Sequence, residues 1–190
     1  MSTPVKRKAT YADLAALPVW QVGEIVEGDL YASPRPASRH AVASSVLGSE
    51  LLGPFQLGRG GPGGWWILDG PELHLDRDVV VPDIAGWRRE RLAVVEDVPH
   101  FTLAPDWICE VLSPSTARFD RVKKLGVYAR AGVVNAWIVD AIGRTLEVLR
   151  RDGAQWMLVA THGGDDRVRA EPFDAVEIGL GALWLPDPPA

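Results

Sequence analysis

Two acids and a lysine carry the chemical interest of this chain. Glu110 stands inside Trp107-Ile108-Cys109-Glu110-Val111-Leu112, a run that is apolar on both alternating faces. That pattern belongs to a central strand covered on each side. A bare carboxylate buried there is unfavourable unless it is paired or bound to a cation. Asp83 follows Pro82 in Val79-Val80-Val81-Pro82-Asp83-Ile84, with enough chain before Glu110 to return to the same sheet. After Ser115 the sequence has helical spacing. At about 100° per residue, Val122, Leu125 and Ala129 form the buried face, with Tyr128 beside it. Lys124 then lies on the border of that face and can reach inward, while Lys123 points to solvent. Only the turn Ser113-Pro114-Ser115 separates strand from helix, so the Lys124 ammonium can approach Glu110. An ion pair alone would satisfy both groups. Two carboxylates and a lysine on one sheet edge also fit Mg²⁺ or Mn²⁺, which take oxygen ligands and keep waters, one of which can become an attacking hydroxide.

The bulk composition is that of an ordinary soluble protein. With 190 residues, 47% hydrophobic and 24% charged, the chain is long enough to bury a core as one domain spanning 1–190. A net charge of −5 argues against a general nucleic-acid coat protein, because phosphate binding rests on clustered Lys and Arg. The single cysteine, Cys109, excludes an internal disulfide and a cysteine-based zinc site. A reducing, cytoplasmic setting is expected. No apolar run approaches the roughly 20 residues that span a bilayer, and the amino terminus lacks a signal-peptide core. Lys6-Arg7-Lys8 is read as a solvated tail.

Several elements must position these residues. Thr10 caps a first helix, with Asp13 three residues on, and the helix stops before Pro18. Glu24–Glu27 and Asp29–Ala32 form a hairpin around Gly28, closed by Pro34 and Pro36. Val42, Val46, Leu47 and Leu51 recur at helical spacing from Ser38, the expected cap, to about Leu52. Gly58–Gly64 is too glycine-dense for helix or strand and lacks the Lys-Ser/Thr ending of a phosphate loop, so it is a connection. Strand signals follow at Trp65–Leu68, Leu73–Leu75 and Val79–Trp87, with Pro82 marking an edge or bulge. Arg88, Arg89 and Arg91 read as a solvated helix turn. Trp65-Trp66 is a candidate dimer contact. Beyond the strand ending at Asp140, Thr145–Leu149 and Gln155–Ala160 pair across Asp152-Gly153, and an apolar element from Val176 to Leu185 precedes the PDPPA tail.

Pro82-Asp83, the E-V-L-S of Glu110 to Ser113, D-R-x-x-K-x-x-x-Y from Asp120 to Tyr128 and G-V-x-x-x-W-I-V-D from Gly132 to Asp140 resemble the bacterial putative restriction endonuclease family often labelled Uma-two. That family belongs to the PD-(D/E)XK nuclease superfamily. Its acidic-Gly-acidic hairpin, proline-rich turn and helix-start histidine resemble Glu27-Gly28-Asp29, Pro34, Pro36 and His40. The resemblance implies an α/β fold with a restriction endonuclease-like core, a central mixed sheet flanked by helices and an N-terminal hairpin. It also implies hydrolysis of DNA phosphodiester bonds. Asp83 and Glu110 would hold Mg²⁺ or Mn²⁺ with the carbonyl of Val111, and Lys124 would position or activate water and steady charge on phosphate. In the plain superfamily pattern the lysine sits two positions after the second acid, where this chain has Leu112; Lys124 would be that lysine moved to the following helix. His40 would either bond locally at the helix start or stand at the rim of the site, and Tyr128, beside the buried helix face, is a secondary candidate. Related nucleases take a further carboxylate from an early helix or neighbouring strand, for which Glu27, Glu50 and Glu72 are candidates. A homodimer follows by analogy with nucleases that meet symmetric DNA. The alternative is a non-catalytic nucleic-acid-binding or interaction module that keeps the nuclease fold.

Overall fold

The central strand expected around Glu110 is β7 (Trp107–Leu112), and all six of its residues are buried. In the computed structural model, which describes residues 7–186, β7 lies inside a six-stranded sheet ordered β10-β9-β8-β7-β6-β3. Lys6 and most of the PDPPA tail lie outside the described residues. The neighbours of β7 are β6 (Ile84–Arg88), antiparallel, and β8 (Asn135–Asp140), parallel. The parallel pair needs a crossover, here helical from α3 (Ala117–Phe119) to α4 (Leu125–Ala131). At the far side, β9 (Thr145–Asp152) and β10 (Gln155–Gly163) form the expected hairpin with longer arms. On the near side, β3 (Trp65–Asp69) pairs with β6. The mixed α/β architecture therefore agrees with the sequence expectation.

Alternation along β7 divides the core. Trp107, Cys109 and Val111 face a cluster with Trp137, Phe173 and Leu47 and Leu51 of helix α2 (Ser38–Leu51). Ile108 and Leu112 face the opposite cluster, with Leu125, Tyr128 and Ile138. Glu110 belongs by alternation to this second face, beneath the crossover helix. Phe173 anchors the first cluster: it is fully buried and packs against Phe55, Trp65, Trp107 and Trp137 with ring centroids 4.7–5.6 Å away.

A second, four-stranded sheet is ordered β2-β1-β5-β4. Strands β1 (Gln21–Val26) and β2 (Asp29–Pro34) form the expected hairpin. Its turn places Glu27 at φ 57° and Gly28 at φ 85°, the double left-handed geometry that matches strand twist. Strands β4 (Leu73–Leu75) and β5 (Asp78–Val80) complete this sheet. Val81 and Pro82 carry the chain from β5 to β6 in the other sheet, so the proline marks a sheet-to-sheet crossing.

The first helix, α1 (Tyr11–Ala15), begins as expected: the Asp13 carboxylate accepts hydrogen bonds from the Thr10 N–H and hydroxyl, both at 2.8 Å. Ser38 is not the cap of α2; that position is Ala37, without a side-chain cap bond. Val122 is also misplaced by the helical wheel, because it is 63% exposed. The physical reason is a π-helical turn over Asp120–Lys124, which advances each residue less than the 100° of an α-helix. Arg88 and Arg89 do not form a solvated helix turn. Arg88 ends β6, and the two guanidinium groups lie over the Trp65 and Trp66 rings at 4.6 and 4.0 Å. Trp65 is buried in the core rather than offered to a partner. Among the described residues no helix is long and apolar enough to cross a membrane.

Candidate active site

The antiparallel register of β6 and β7 joins Ile84 to Cys109 and Ala85 to Ile108. One step further along that register brings Asp83 opposite Glu110. Asp83 is held there by two contacts on Oδ2: the Val111 N–H donates to it at 2.7 Å, and His40 Nε2, from the first turn of α2, lies 3.1 Å away. His40 Nδ1 is buried and has no hydrogen-bond partner among the described residues.

Lys124 arrives from above. Although it was expected at the border of the helix face, it is only 3% exposed. Its ammonium lies 2.9 Å from both Glu110 oxygens and 3.0 Å from Glu24 Oε1, and donates to the Val81 carbonyl at 2.9 Å. Tyr128, one turn later, donates its hydroxyl to Glu110 Oε1 at 2.6 Å. The π turn over Asp120–Lys124 turns Lys124 to the sheet and Val122 outward. Glu24 also accepts the Val81 N–H at 2.9 Å. Val81 is thus pinned at both its polar backbone atoms, which fixes the segment leading to Asp83.

Glu24, His40, Asp83, Glu110, Asp120 and Lys124 line a cavity of about 270 Å³, with Tyr128 behind Glu110. Arg35 and the Ser113–Thr116 turn form part of its wall. Burial raises the Glu110 carboxyl well above the usual carboxylate range, opposed by Lys124 and reinforced by the neighbouring acids. Burial likewise pushes Asp120 up to about 6. Burial alone would lower Lys124, but Glu110, Glu24, Asp120 and Asp83 together hold it well above its ordinary value. These neighbours favour the protonated form of Lys124, which can stabilise negative charge.

The structure brings together Asp83, Glu110, Lys124, His40 and Tyr128, and it leaves Glu27, Glu50 and Glu72 outside. Glu27 pairs at the surface with Lys123, Glu50 is exposed on α2, and Glu72 contacts His74. The additional carboxylates in the cavity are Glu24 and Asp120. Both left a trace in the sequence. Glu24 alternates with the inward Val26 along β1, whereas Glu27 already belongs to the turn. Asp120 precedes Lys124 by one helical repeat, the spacing of side chains on a common face. Val111 meets Asp83 through its N–H.

The donor set suits a hard divalent cation. Four carboxyl groups share the cavity with one buried ammonium and Arg35 at the wall; burial and mutual repulsion raise Glu110 and Asp120, and a divalent ion would relieve that repulsion. All four side chains offer oxygen, the preference of Mg²⁺ and Mn²⁺. A carboxylate has about four acceptor positions. The hydrogen bonds of Glu110 to Tyr128 and Lys124 thus leave room for a further partner.

Comparison with known proteins agrees with this architecture. A search of curated proteins finds no match. Among solved structures, the chain is similar to a putative nuclease belonging to DUF820 from Anabaena variabilis ATCC 29413, at 22% identity and a TM-score of 0.72. The match covers 92% of this chain and 97% of that one, and at this identity it speaks to the fold. The family profile described as Uma2, putative restriction endonuclease, matches residues 11–181. With nearly the whole described chain inside that match, the protein belongs to the Uma2 putative restriction endonuclease family.

Proposed function

We propose that this chain is a metal-dependent endonuclease that hydrolyses DNA phosphodiester bonds, working as one nuclease-like domain over residues 1–190. The observation that carries the reading is the convergence of Asp83, Glu110 and the buried Lys124 ammonium in one cavity. Asp83 and Glu110, with the Val111 carbonyl, would hold Mg²⁺ or Mn²⁺. When bound, such an ion polarises a phosphoryl oxygen and lowers the pKa of a coordinated water.

The residues of the chain supply position and charge. Lys124, held protonated by its acidic neighbours, faces negative charge as it grows on the phosphate. Tyr128 and Lys124 orient the Glu110 carboxylate, and His40 with the Val111 N–H orients Asp83. Glu24 keeps Lys124 and Val81 in register. A symmetric homodimer cutting both strands belongs to the same reading.

The test is nicking of supercoiled plasmid with Mg²⁺ or Mn²⁺ by the wild type, Asp83→Asn and Glu110→Gln. Loss of cleavage in both variants, with unchanged circular dichroism, is expected. Equal cleavage by all three would overturn the assignment. The engagement of Glu110 by Tyr128 and Lys124 also fits a non-catalytic module whose cavity is only a buried ion-pair network. Calorimetry showing no Mg²⁺ or Mn²⁺ binding to the folded wild type would favour that reading.

A further inference from the structure

Glu72, His74 and His100 form a second cluster of ligating side chains, on the outer strand of the four-stranded sheet. Glu72 and His74 are two positions apart across the start of β4, so their side chains leave the strand on the same face. His100 comes from the long connection between β6 and β7. It is held in register by two backbone hydrogen bonds, Phe101 N–H to the Glu72 carbonyl at 2.9 Å and His74 N–H to the Phe101 carbonyl at 2.8 Å. One ligand atom from each of the three side chains lies within 4.8 Å of the other two. The His74 and His100 rings stack at 3.8 Å with planes 11° apart, and His74 Nε2 is 2.7 Å from Glu72 Oε1.

A second observation is that His100 Nδ1 is buried without a hydrogen-bond partner among the described residues. A buried imidazole nitrogen with no partner is uncommon, and an ion is one group that satisfies it. The chemistry also differs from the first cavity: two imidazoles and one carboxylate suit a borderline transition ion, whereas carboxylates alone suit Mg²⁺. Tyr11 of α1 packs against the His74 ring at 5.2 Å and so flanks the cluster; the nearby Glu72 carboxylate holds the Tyr11 hydroxyl above its ordinary pKa.

We propose that Glu72, His74 and His100 bind one Zn²⁺-class transition ion, with a fourth position open to water, and that the ion ties the β6–β7 connection to β4. Ligation turns one imidazole out of the stack, which its partial exposure at the sheet edge permits. The tied connection joins the strand entered from Asp83 to the strand that carries Glu110, so the ion would act as a clip on the scaffold of the first site.

The test uses the full chain stripped with a chelator and titrated with Co²⁺, whose visible bands report ligand type, and with Zn²⁺ by calorimetry. Wild type and Asp83→Asn are both expected to bind one ion tightly. His100→Ala and Glu72→Gln are expected to bind at least as weakly as the roughly 10–100-fold loss caused by removing an outer contact. Circular dichroism of each variant establishes that it is folded, and the milder Glu72→Gln serves if His100→Ala is not. Absence of tight Co²⁺ and Zn²⁺ binding in the wild type, or undiminished binding by the folded variants, would overturn the proposal. Loss in Asp83→Asn alone would assign the ion to the first cavity and would also overturn it.

Discussion

Replacing Asp120 by asparagine should stabilise this protein at neutral pH, although it removes a residue from an ion-paired cavity. Asp120 is 4% exposed, and its carboxyl is pushed from an ordinary 3.8 to about 6, chiefly by burial, against the attraction of Lys124 at 3.9 Å. A folded-state value above the unfolded one means that the folded protein holds the proton more tightly. The stabilising contribution is therefore full below about pH 4 and is lost as pH rises through about 6. The shift is roughly two units, and at about 1.4 kcal/mol per unit the ionised carboxylate costs the fold about 3 kcal/mol at pH 8. Asparagine keeps the shape without the charge. Urea denaturation of both proteins from pH 4 to 8 should show Asp120→Asn the more stable by up to about 3 kcal/mol at pH 8, with the gap closing toward pH 4. A variant that is less stable at pH 8, or a gap independent of pH, would refute the reasoning. Saturating Mg²⁺ should narrow the gap, because added positive charge lowers the cost of ionising Asp120.

Other perturbations have equally definite outcomes. Lys124→Met leaves Glu24, Glu110 and Asp120 without their shared cation and should cost about 3–5 kcal/mol in denaturant melts. Lys123→Ala, which breaks only a surface pair with Glu27, should leave the melting temperature within error. Phe173→Ala opens a cavity among four aromatic rings and should cost about 3–5 kcal/mol by the same measurement. Mg²⁺ at a hundred times its dissociation constant should stabilise the wild type by about 2.7 kcal/mol. A thermal-shift series should show that gain vanish in Asp83→Asn.

Much of the scaffold was legible because its signals are local. Apolar runs marked β3 and β6 to β8, and Glu-Gly-Asp marked the hairpin whose left-handed turn the structure contains. The acid of β7 announced itself because a charge among five apolar neighbours demands a partner, and the structure places Lys124 and Tyr128 on it. The expectation for Val122 failed because a π turn cannot be distinguished from an α turn by apolar spacing. The same turn sends Lys124 deeper than the helical wheel allows.

The strand carrying Glu110, the helix carrying Lys124 and the family pattern that links them to Asp83 follow from the residue order alone. Each depends on residues close in the chain, where periodicity and turn chemistry act directly. Which further acid joins them depends on the packing of distant segments. Glu24, Glu27, Glu50 and Glu72 are alike as isolated residues, but sheet order and register bring Glu24 to Lys124 and leave Glu72 beside two histidines. Register is set by contacts between distant segments, and a shift of one residue would send each side chain to the opposite face.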